Sequence, residues 1–281
     1  MKHMKQLTQT LLAAATLGFA VQANGAVIFQ QSFDYDVADD GNALSTFPEF
    51  SGSSSFQTFD AGTNLNGTAL SGEVGGSALY TGFAGSRTAN SVGTSLNYNA
   101  TDVFWFSAVF QVSASTSSIQ LDVNSTSNVN TMNLLLDGGS ASLTYFDGGA
   151  GDTNNFVTET LGSGLATSTS HLFLIKVDPD GVSGANSSIS AWLNPSDTSS
   201  EANLGAATFT DTDSKIGRLS ETLMSNYEVA MSNANTTDSV YFDEFRIATS
   251  FNDIVNVPEP SAALLIGLSG IGLAMLRRRR S

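Results

Sequence analysis

The sequence predicts an all-β protein, an antiparallel β-sandwich, and three observations lead there. The chain is rich in glycine (26 residues), serine, threonine and asparagine while charged residues make up only 13%, a mix that suits strands and turns better than helix surfaces. Its apolar residues fall in short runs of strand length, separated by clusters of Gly, Ser, Asn and Asp. No segment of the body keeps an apolar period of 3.6 residues for three turns, and no strand–helix–strand alternation appears.

The runs define the elements in order. "VIFQQSF" (27–33) opens the body, followed by "SALYTGF" (77–83) and "VFWFSAVFQV" (103–112). The last of these is apolar on both faces, as a central strand covered on two sides must be. Next come "SIQLDV" (118–123), "TMNLLLD" (131–137) and "ASLTYF" (141–146). "HLFLIKV" (171–177) and "SSISAWLN" (187–194) flank "DPDGVSGAN", whose Pro and Gly carry turn chemistry, so this pair reads as a β-hairpin. "DSVYFDEFRIATSF" (238–251) closes the body, and "KIGRLSETLM" (215–224) is the one stretch that passes as a short helix. About ten strands are expected, in one domain over residues 27–254.

Charge and composition exclude several functions. The formal net charge is −15, but between Val27 and Val257 five basic residues face twenty-five acidic ones, a net −20. Such a surface repels nucleic acid. The absence of cysteine removes thiol catalysis and Cys-based zinc sites, and a domain of this size does not need disulfides for stability.

The basic residues sit at the ends. Lys2 and Lys5 precede an apolar stretch from Leu11 to Val21 and then small residues, the order of a signal peptide over residues 1–25, with cleavage after Ala23 or Gly25. At the other end, residues 261–276 form an uncharged run of sixteen, short of the roughly 20 that a membrane-spanning helix needs. Arg277, Arg278, Arg279 and Arg280 follow, a cytoplasmic stop by the positive-inside tendency. Pro258 and Pro260 make "VPEP" an extended segment that a peptidase can grip.

This ordered set (Val257, Pro258, Glu259 and Pro260, a short transmembrane helix, an Arg cluster) resembles the PEP-CTERM sorting signal of Gram-negative bacteria. The resemblance implies processing by signal peptidase and an exosortase, transient insertion in the inner membrane, and delivery to the cell surface or extracellular matrix. The body resembles the concanavalin A-like, laminin-G-like jelly roll through "FQQSFDYD" (29–36), "DVFWFSAVFQV" (102–112), "HLFLIKVDPDG" with "ISAWLNPSD" (171–197) and "VYFDEFRIATSFNDI" (240–254).

Candidate chemistry is sparse. Asp243 and Glu244 suggest a glycosidase pair, but alternation along a strand sends neighbours to opposite faces. His171 is the only histidine left after signal cleavage, and no nucleophile elbow accompanies it, so no catalytic residue is assigned. Calcium is the one cofactor considered, at "DPDG" (178–181), "GGAGD" (148–152) or the loop of Asp34, Asp36, Asp39 and Asp40, and none matches a calcium motif. Tyr80, Tyr98, Tyr145, Trp105 and Trp192 are candidate sugar-stacking rings. Trp105 reads as core, and Trp192, opposite Ile189 and Ala191, reads as the exposed ligand contact. The sequence therefore predicts an exported, non-enzymatic structural, adhesive or glycan-binding protein with extracellular polysaccharide as partner. A polysaccharide-active enzyme and a calcium-dependent module are the alternatives.

Overall fold

The computed structural model describes residues 27–31, 41–44, 50–51, 57–60, 65, 77–91, 96–97, 103–124, 130–147, 155–179, 187–214, 222–224 and 226–255. Two antiparallel sheets pack face to face. One runs, in spatial order, β14 (Phe209–Ser214), β13 (Ser187–Leu193), β12 (His171–Pro179), β7 (Phe104–Val112), β17 (Ser239–Ala248), β4 (Ser77–Thr81) and β3 (Gln57–Asp60), with β1 (Val27–Gln31) also paired to β17. The other runs β11 (Phe156–Ser163), β10 (Ser140–Phe146), β9 (Asn130–Asp137), β8 (Ser118–Asn124), β16 (Asn226–Asn233), β5 (Gly85–Ser91) and β2 (Phe50–Ser51). A two-stranded ribbon joins β6 (Leu96–Asn97) to β15 (Thr222–Met224).

Each run read as a strand from the sequence is one, and Pro179 pairs with Ser187 as the hairpin requires. Two readings are corrected. The stretch 215–224, which passes as a short helix in sequence, is described only at Thr222–Met224, and there the backbone is a strand paired with β6; residues 215–221 lie outside the described residues. The closing strand stops at Ala248, and a one-turn helix, α1 (Phe251–Val255), follows. Ser250 sets its start: the Asp253 amide donates to the Ser250 hydroxyl at 3.3 Å, and that hydroxyl donates back to the Asp253 carboxylate.

The main core lies between the sheets. Cross-strand register stacks Leu121 against Leu134 and Leu143, and Val229 beside Leu121, all on the inner face. Phe106, Phe110, Phe173 and Ile175 face them from the eight-stranded sheet, so each contributes about 1.5–3 kcal/mol of burial. A second core covers the outer face of that sheet. Trp105 stacks on Trp192 at 5.7 Å between centroids and meets Phe251 edge-on at 5.0 Å, with Leu65, Leu174, Leu204 and Ile254 around them. Strand β7 is therefore apolar on both faces because it has a core on both faces.

Strand β17 carries a bulge where this two-sided burial meets. Its register with β7 shifts between Asp243 and Arg246, and Glu244 takes a left-handed φ of 53°. The extra residue lets Phe242 and Phe245, three apart, both point into the main core. It also sends Asp243, Glu244 and Arg246 to the covered outer side, each at most 1% exposed. There Arg246 forms an ion pair with Glu244 and donates to the Ile254 carbonyl at 3.0 Å. Asp243 accepts from the Leu65 amide at 3.2 Å and from the Glu244 amide at 2.8 Å.

Arg246→Leu would strand the Glu244 carboxylate in this interior. The expected cost is about 3–5 kcal/mol, measured as a fall in the urea midpoint at unchanged denaturant slope. The double variant Glu244→Gln, Arg246→Met should recover most of it.

Candidate functional site

The two outer faces differ in kind. That of the eight-stranded sheet is closed by the Trp105–Trp192 core, whereas the outer face of the seven-stranded sheet carries, among the described residues, an edge-on Phe146–Phe156 pair on β10 and β11 and otherwise mainly polar side chains. Strand alternation puts polar side chains there. The register aligns Thr158, Thr144, Asn133, Asp122 and Glu228 in one row across β11, β10, β9, β8 and β16. The adjacent row holds Thr160, Ser142, Leu135, Gln120, Ala230 and Thr88.

Asp122 is the centre of this face. It is only 6% exposed, and its carboxylate is held on both oxygens: Gln120 Nε2 donates to Oδ2 at 2.8 Å and Asn133 Nδ2 donates to Oδ1. The Thr144 and Thr158 hydroxyls share a hydrogen bond of 2.8 Å farther along the row. Glu228 stands opposite Asp122 on the neighbouring strand. Burial first, and then the Asp122 charge, raise the pKa of its carboxyl. Directly opposed residues have their Cβ atoms about 4.5–5.5 Å apart, so the two carboxyl side chains stand on one surface. Amides, hydroxyls and carboxylates in a row are a set of donors and acceptors matched to sugar hydroxyls.

The residues singled out in the sequence lie elsewhere. Trp192 is on the expected face but is not an open platform: it is 9% exposed, stacked on Trp105, and its indole N–H donates to the Gly205 carbonyl at 3.3 Å. The loop after β13, carrying Leu204, folds over it, which strand alternation alone does not reveal. Tyr80 and Tyr145 are buried, their hydroxyls donating to the Gly85 carbonyl and to Asp211 at 2.9 and 2.8 Å. Asp243 and Glu244 do share a side, because the bulge breaks alternation, yet both are enclosed and engaged with backbone and Arg246.

His171 is buried at the start of β12 with both ring nitrogens used, Nε2 on the Ala166 carbonyl and Nδ1 on the Asn194 amide, each at 2.9 Å. Tyr98, the acidic loop at 34–40 and "GGAGD" lie outside the described residues, as do Asp180 and Gly181, and among the described residues no group of three or more metal-ligating side chains occurs. The Asp122–Glu228 pair escaped sequence reading because its members are 106 positions apart and only register joins them. The one local signal was the alternation in "SIQLDV", with Gln120 and Asp122 on its polar face.

These features define a jelly-roll β-sandwich with one covered and one polar face. The fold is similar to that of an endo-β-1,4-glucuronan lyase from the fungus Trichoderma reesei, with a TM-score of 0.50 and 12% identity over 82% of this chain and 98% of that one. It is likewise similar to an endo-1,3-β-glucanase from Streptomyces sioyaensis, with a TM-score of 0.50 and 13% identity over 82% of this chain and 98% of that one. The expectation of a non-enzymatic protein is corrected to this extent: two enzymes are built over nearly their whole length on the same sandwich, so the fold is one that carries catalysis as well as binding.

The PEP-CTERM protein-sorting motif matches residues 256–280, so the chain carries the sorting signal of exported, exosortase-processed surface proteins. Comparison with curated protein sequences gave no match. The expected transmembrane helix at 261–276 lies outside the described residues, among which no helix is long and apolar enough to cross a membrane.

Glu228 makes the polar face pH-sensitive. A carboxyl whose pKa is raised on folding contributes stability that is fully present below its unfolded pKa and is lost as pH rises through the folded one. Glu228→Gln is therefore expected to raise the melting temperature at neutral pH, with the gain closing below about pH 4. Thermal unfolding of both proteins across that range checks it.

Proposed function

We propose that this exported surface protein holds a neutral polysaccharide against the polar face of its seven-stranded sheet, at the cell surface or in the extracellular matrix. The observation that carries the reading is the cross-strand row centred on Asp122, with Asn133, Gln120, Thr144 and Glu228 around it. The Thr144 and Thr158 hydroxyls and the Gln120 and Asn133 amides, oriented by the nearly buried Asp122 carboxylate, meet sugar hydroxyls without needing a charged ligand. The body's net charge of −20 and the two carboxyl groups on this face disfavour a polyanionic chain.

One observation favours a second, stronger reading in which the face also cleaves. Glu228, its carboxyl pKa raised by burial and by the charge of Asp122 opposite it, would protonate a glycosidic oxygen. In that reading the sandwich is a glycoside hydrolase of neutral glycan.

Calorimetric titration of the purified mature protein with neutral β-glucan oligosaccharides, with oligo-uronates as the charged control, tests the first reading. Binding to the neutral series only is expected, weakened about tenfold or more in Asp122→Ala, equivalent to about 1.4 kcal/mol. Absence of binding, or equal binding by the variant, overturns it. For the second reading, release of reducing ends should fall at least ~100-fold in Glu228→Gln; no release from the unaltered protein removes cleavage and leaves binding standing.

A further inference from the structure

The polar row on the seven-stranded sheet has an aromatic neighbour at one end. Val157 and Tyr145 pack against the main core, so Phe156 and Phe146 beside them point outward, onto the face that carries Thr158 and Thr144. Register sets Phe156 opposite Phe146, two residues along from the Thr158–Thr144 pair. That step spans about 7 Å, within reach of one sugar ring. The two phenyl rings meet edge-on, 5.8 Å between centroids and 76° between planes.

Their surroundings differ. Phe146 is 1% exposed, whereas Phe156 is half-buried and packs against neither core cluster. Phe156 also stands on β11, the outermost strand of the seven-stranded sheet, which pairs only with β10 among the described residues. Phe146 therefore braces a ring that keeps part of its surface in solvent. The Thr144 and Thr158 hydroxyls beside it share one hydrogen bond, which leaves one hydroxyl hydrogen and unused lone pairs for a ligand.

A face of hydroxyls and amides alone holds sugar weakly, because each hydrogen bond it makes replaces one to water. A pyranose also carries C–H groups across its ring face, and covering them with an aromatic ring takes apolar surface out of water. Tyr80, Tyr145, Trp105 and Trp192 cannot serve, since all are buried. We propose that Phe156 is the stacking platform of the glycan face: one pyranose of a neutral chain lies with its C–H face on the Phe156 ring while its hydroxyls meet Thr158 and Thr144. The inference rests on the glycan-binding reading and names the residue that selects the apolar side of the sugar.

Calorimetric titration of the mature protein with cellohexaose and laminarihexaose tests it on three variants. Phe156→Ala is expected to weaken binding about tenfold. Phe156→Leu, which keeps apolar volume without a flat ring, should lose nearly as much, and Phe156→Trp should bind as the unaltered chain does. The Trp variant adds a signal that a purely structural role would not produce: its new indole emission shifts on addition of sugar, while Trp105 and Trp192, covered on the other sheet, leave the unaltered chain silent. Binding by Phe156→Ala equal to that of the unaltered chain, or an indole in Phe156→Trp that does not respond at saturating sugar, overturns the platform and leaves the glycan reading standing. No binding of either sugar by the unaltered chain removes both.

Discussion

Strand β17 must satisfy two cores and two partners, and the bulge at Asp243–Glu244 is how it does so. Before the bulge it pairs with β4, and after it with β1, while β7 lies along its other side throughout. A regular strand would place Phe242 and Phe245 on opposite faces; the inserted residue puts both rings in the main core, where Phe245 meets Tyr227 edge-on at 5.1 Å. The displaced carboxylates and Arg246 then become the ties that fix the Leu65 segment and α1 over the outer face. Removing that bulge would uncouple the second core from the first.

This arrangement divides the molecule's work. Among the described residues, Trp105, Trp192 and α1 close one outer face, and on the other the pleat brings Thr144, Asn133, Asp122 and Glu228 into one polar row. The covered face in turn receives the chain end that leads to the sorting signal.

The long apolar strands were legible in the sequence because their burial on one or both faces writes itself into the pattern, as in "VFWFSAVFQV" and "HLFLIKV". Strands such as β11, β14 and β16 were not, since their exposed alternate positions carry Thr, Glu, Asp and Asn, which read equally well as loop. Trp192 shows the limit of face assignment: alternation placed it correctly across from Ile189, but only tertiary packing of Leu204 and Trp105 decides that it is covered. Asp122 and Glu228 were each visible as acidic residues, yet their meeting depends on the pairing of β8 with β16, which local sequence does not encode.

The central claim is that ligand meets the polar sheet and not the covered one. Amide hydrogen exchange of the mature protein, with and without a neutral β-glucan oligosaccharide at saturating concentration, addresses it directly. Added protection confined to β8, β9, β10, β11 and β16 is the predicted result. Protection centred on β12, β13 or the Trp192 loop, with the Asp122 strand unchanged, would contradict it.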